Sequence, residues 1–71
     1  MEEKYIVYTE IHNINKMERW YYGTYDHNKA NDVAYELGRY ENEDGDMVYH
    51  CVCKTSEARD FNILNLPKQY T

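Results

Sequence analysis

Aromatic and β-branched residues crowd the segment Lys4-Tyr5-Ile6-Val7-Tyr8-Thr9-Glu10-Ile11, a pattern that predicts a strand. Ile6 and Val7 lie on opposite sides of it, so its middle is apolar on both faces, as a central strand requires. His12-Asn13-Ile14-Asn15-Lys16 then interrupts the run with turn-forming residues. A second aromatic run, Arg19-Trp20-Tyr21-Tyr22-Gly23-Thr24-Tyr25, reads as the returning strand of a hairpin. Gly23 inside it is the position for a bulge or a close backbone approach.

The period then changes. Ala30, Val33, Ala34 and Leu37 recur at i, i+3, i+4 and i+7, the apolar stripe of an amphipathic helix over 27–37. Asp26 precedes the stripe as an N-cap, and Gly38 follows it where a left-handed C′ residue belongs. Glu41 to Asp46 forms a polar turn around Asp44-Gly45, and Met47 to Cys53 reads as a third strand. Arg39 to Glu43 is a further candidate to pair with that strand across Asp44-Gly45. Thr55 or Ser56 caps a short last helix carrying Ala58, Phe61 and Leu64, which Pro67 ends by Leu66.

The expected architecture is one small α+β domain over residues 1–71, in the order β-β-α-β-α. A three-stranded, mainly antiparallel sheet has its first strand central and the main helix on one face, with a short C-terminal helix besides. The second face is then left to the C-terminal segment, with Phe61, Ile63, Leu64 and Leu66, or to a partner.

Length and composition narrow the function. A chain of 71 residues has a thin core and little room for a deep, water-excluding pocket. Eight Lys and Arg against thirteen Asp and Glu leave a net charge of -5, which argues against direct nucleic-acid contact. The acidic start Met1-Glu2-Glu3 and the absence of a long apolar run set the expectation of a cytoplasmic protein without a membrane partner. In size and acidity the chain is similar to small β-β-α-β proteins of bacteria and their phages, a resemblance with no diagnostic motif that transfers no functional residue.

Candidate chemistry is sparse. Cys51 and Cys53 stand two apart on a strand, about 6.5 Å between Cα atoms, near the upper limit for a disulfide. They are read as thiols, and with His50 on the opposite face they make a poor zinc chelate. The acidic turn places Tyr40 and Cys51 where a calcium loop needs carboxylates. No serine sits on a glycine-flanked elbow and no glycine loop is built to cradle phosphate. The expectation is therefore no cofactor, no metal, no catalytic residue, and a function other than catalysis.

Nine tyrosines are the departure from an ordinary composition, and tyrosine supplies stiff contact area with a polar tip. Strict alternation puts Trp20, Tyr22 and Thr24 on one face of the second strand and Arg19, Tyr21 and Tyr25 on the other. The expected function is a protein-interaction module that binds another protein, or a second copy as a homodimer. Tyr8, Trp20 and Tyr22 are the expected anchors, with Tyr5, Tyr21 and Tyr25 as alternates. The alternative is an acidic inhibitor of the phage or mobile-element type, whose carboxylates block a nucleic-acid-binding partner.

Overall fold

In the computed structural model, which describes residues 3–57, the first hairpin is formed by β1 (Tyr5–His12) and β2 (Met17–Tyr25). Asn13 closes its turn twice. Its N–H donates to the Lys16 carbonyl at 2.9 Å, and its side-chain oxygen accepts from the Asn15 N–H at 2.9 Å. Asparagine does this readily because its side chain mimics a turn of backbone.

α1 (His27–Leu37) occupies the predicted span. The Asp26 carboxylate accepts from the Lys29 N–H at 2.9 Å, as an N-cap should. The helix ends at Gly38, whose N–H still donates to the Ala34 carbonyl. Its φ of 65° is paired with a ψ of -157°, which is outside the left-handed helical region and open essentially to glycine alone. Of the predicted stripe, Ala30 is fully buried, while Val33, Ala34 and Leu37 are half-buried.

After the helix come β3 (Tyr40–Glu41) and β4 (Met47–Lys54). The sheet has four strands in the order β2-β1-β4-β3, all antiparallel, which corrects the expected three. The added strand is only two residues long and lies within Arg39 to Glu43, the segment the Asp44-Gly45 turn marked as a candidate to pair with this strand. Asn42 makes it possible, its side-chain oxygen accepting from the N–H groups of both Asp44 and Asp46 and folding the turn back on itself.

The central position of β1 is as expected: Ile6 and Val7 are both inaccessible to solvent on opposite faces. Because β2 and β4 each run antiparallel to β1, they run parallel to one another with β1 between them. A parallel pair needs a long crossover, and α1 is that crossover.

The predicted alternation along β2 fails at one point. Val7 faces Gly23 but Tyr8 faces Tyr21, so Tyr22 is an extra residue in a bulge. Thr24 therefore joins Arg19 and Tyr21 on one face, and Tyr25 joins Trp20 on the other. The Tyr21 and Thr24 hydroxyls meet at 2.6 Å, a contact that i and i+3 cannot make on a regular strand. The Tyr25 ring lies over Gly23, where a Cβ would stand 2.5 Å from its hydroxyl oxygen.

Residues 55–57 are helical. The cap is supplied from the other end of the described chain: the Glu3 carboxylate accepts from the Ser56 N–H at 3.1 Å and the Ser56 hydroxyl at 2.7 Å. Those bonds hold the Glu3 carboxyl below its usual range. The expected course of that helix through Ala58, Phe61 and Leu64 to Pro67 lies outside the described residues, as does the expected packing of Ile63 and Leu66. No described helix is long and apolar enough to cross a membrane.

Candidate functional site: the helix-free sheet face

Register divides the sheet into two unlike faces. Val7, Thr9 and Ile11 of β1 and Val48 of β4 are buried on one. α1 lies on that side: Tyr5 stacks against His27 at a centroid distance of 4.6 Å, and the His50 ring meets the Gly38 carbonyl at 2.6 Å. The other face, helix-free among the described residues, is carried by Ile6, Tyr8, Glu10 and His12 of β1, flanked row by row from β2 and β4.

The first row is Thr24, Ile6 and Cys53, and the second is Tyr21, Tyr8 and Cys51. Tyr8, Tyr21 and Cys53 pack around Ile6 and form a small apolar centre. Burial pushes the Tyr8 phenol up to about 12, with Cys51 and Glu10 adding to the rise. Burial also pushes the Cys51 thiol up, and the nearby Glu10 carboxylate works in the same direction. Cys53 is raised by burial too. Thiols held in the protonated form are weak nucleophiles and weak metal ligands.

The third row is Arg19, Glu10 and Tyr49, and the fourth is Met17, His12 and Met47. Glu10 organises both. One carboxylate oxygen meets His12 Nε2 at 2.6 Å and the other accepts from Arg19 Nε at 3.0 Å. The Glu10 side chain is only 14% exposed, and burial alone would raise its pKa. The hydrogen bonds from His12 and Arg19 outweigh that and hold Glu10 below the usual carboxylate range. The His12 ring stands edge-on to Tyr49 at 5.0 Å. This face thus joins an aromatic and sulfur-rich half to an ionic half, with Met17 at 48% exposure along its edge.

The three anchors expected from sequence are not gathered on one surface. Tyr8 lies on the helix-free face, Trp20 pairs with Thr9 on the helix-covered face, and Tyr22 occupies the bulge. All three are half-buried. Of the alternates, Tyr21 stands beside Tyr8, whereas Tyr5 and Tyr25 face the helix.

Tyr49, Glu10, Arg19 and His12 were not singled out from sequence as a group. One signal was present: reflecting the hairpin about its Ile14-Asn15 centre places Glu10 opposite Arg19 and Tyr8 opposite Tyr21. Among the described residues, no group of three or more His, Cys, Asp or Glu is placed to hold a metal ion. No protein-family model, curated protein or solved structure matches this chain.

Proposed function

We propose that this protein acts by binding another protein through the helix-free sheet face, with Tyr8, Tyr21 and Tyr49 as the aromatic anchors. The observation that carries the reading is the Tyr8-Tyr21 pair on Ile6 with a neutralised Glu10-Arg19-His12 group beside it. Half-buried tyrosines offer large contact area at low entropic cost. The ion pairs satisfy the charges in place, so covering them leaves no unpaired charge to desolvate. Arg19 in addition belongs to the residue types that dominate interface energies.

A second reading is supported by exposed carboxylates on the helix and the β3-β4 turn, at Asp32, Glu36, Glu41, Glu43 and Asp44. In that reading the acidic side engages a basic, nucleic-acid-binding partner.

Affinity capture with the full chain, with and without nuclease, tests both. The first reading expects a protein partner retained after nuclease and lost from a Tyr21→Ala/Tyr49→Ala variant that still folds. The second expects capture that survives that variant and falls steeply with salt. Capture of nucleic acid alone would contradict both.

A further inference from the structure

We infer that the cleft between α1 and β2 is a separate binding site, which takes an amphipathic helix of a partner protein laid beside α1. This does not rest on the helix-free face, and it uses side chains rather than the backbone edge of β2. Four strands at a spacing of about 4.8 Å make a sheet wider than one helix, about 10 Å across, can cover. α1 lies mainly over β4 and β1, so the space above β2 is only partly taken.

Lys29, Val33, Glu36 and Leu37 recur at i, i+4, i+7 and i+8, one stripe along α1. They meet Tyr22 and Tyr25 across a cleft of about 380 Å³. The two tyrosines, Val33 and Leu37 are half-buried and supply an apolar floor. Val33 and Leu37 stand one turn apart, on a ridge of the i, i+4 kind. A second helix carries ridges of the same spacing, so its apolar side chains fit the grooves beside this one.

Charge selects the occupant and its direction. Lys29 and Glu36 are exposed, about 10.5 Å apart along the helix, and among the described residues neither is ion-paired. The first turn of α1 holds no acidic residue and the last turn no basic one, so Lys29 and Glu36 run against the helix macrodipole. That order does nothing for the helix itself, and it leaves the cleft with a positive end and a negative end. A partner helix parallel to α1 answers with an acidic residue toward Lys29 and, seven positions later, a basic residue toward Glu36. Acid before base is also the order that the partner's own dipole favours. Its residues at i+3 and i+4 are apolar and lie on Val33 and Leu37.

The test uses the full chain and two synthetic alanine-rich peptides of about eighteen residues, long enough to be helical, with blocked termini and leucine at i+3 and i+4. One carries Glu at i and Lys at i+7, the other Lys at i and Glu at i+7. Calorimetric titration is expected to show the Glu-first peptide binding about tenfold more tightly than the other. The doubly reversed variant Lys29→Glu/Glu36→Lys, altered only at exposed positions, is expected to exchange that preference. Hydroxyl-radical footprinting should show Tyr22, Tyr25 and Leu37 protected by the peptide, with Tyr35 unchanged. No saturable binding by either peptide would overturn the inference. So would a wild-type preference for the Lys-first peptide, indifference to charge order in both proteins, or protection confined to Tyr8, Tyr21 and Tyr49. Zero-length crosslinking from Lys29 of the free protein to a second copy, or to residues 58–71 of the same chain, would overturn it too.

Discussion

The two faces of β1 bury residues by different means. On the side that α1 covers, Val7, Thr9 and Ile11 form a buried row, with the half-buried rings of Tyr5, Trp20, Tyr25 and His50 around it. On the other, Ile6 is equally inaccessible, but its cover includes Tyr8, Tyr21 and Cys53 from its own sheet. The first arrangement spends its groups on stability. The second leaves rings, thiols and an ion-paired carboxylate half-exposed, a composition that resembles an interface more than a core. A thin sheet with one main helix must treat its two sides unequally, and binding is expected on the side where burial is incomplete.

The sharpest way to break this comparison is to remove a buried aliphatic from each side. Ile11→Ala and Ile6→Ala should each cost about 2–5 kcal/mol in urea denaturation, since both side chains are buried. If Ile6→Ala cost no more than a surface change, the ring cluster would not be a packed centre.

Glu10→Gln should be next, at about 1–3 kcal/mol, because it removes charge-assisted hydrogen bonds to His12 and Arg19. The pH dependence has a definite sign. Glu10 is depressed in the folded state, so its contribution is complete above the unfolded pKa of about 4.3. It is lost as pH falls through the lower folded value. Thermal unfolding from pH 7 to pH 3 should therefore show a smaller acid loss in Glu10→Gln than in the wild type.

Two changes on the helix side should separate stability from binding. Gly38→Ala is expected to cost about 1–3 kcal/mol through backbone conformation alone, since nothing crowds the new Cβ closer than the Tyr35 carbonyl at 3.8 Å. Asp26→Ala should cost about 1 kcal/mol by removing the N-cap. Both should leave partner capture unchanged at temperatures where the variants remain folded. A loss of capture in either would place the binding surface on the helix side.

The span of the helix was legible because Asp26, the Ala30-Val33-Ala34-Leu37 stripe and Gly38 are local signals that agree, although the ψ of Gly38 lies outside the left-handed helical region expected of it. So were the hairpin strands and the central place of β1. The division of side chains between faces was not. Gly23 marked the site of a bulge, but which residue it displaced depends on pairing with β1, and one inserted residue reverses the parity of everything beyond it. That single shift moved Thr24 and Tyr25 to opposite faces from those expected. Tyr8 and Trp20 were grouped as anchors though the hairpin pairs Trp20 with Thr9, one position along from Tyr8 and on its opposite face. The ionic half of the site was hidden for a related reason, because Glu10 and Arg19 are nine positions apart and meet only across the strand pair.

Hydroxyl-radical footprinting of the full chain, free and with its captured partner, bears most directly on the central claim. Tyr8, Tyr21, Tyr49 and Met17 should react in the free protein and become protected on binding, while Tyr35 on the outer side of α1 stays reactive in both. Protection of Tyr35 with the four sheet residues unchanged would contradict the account.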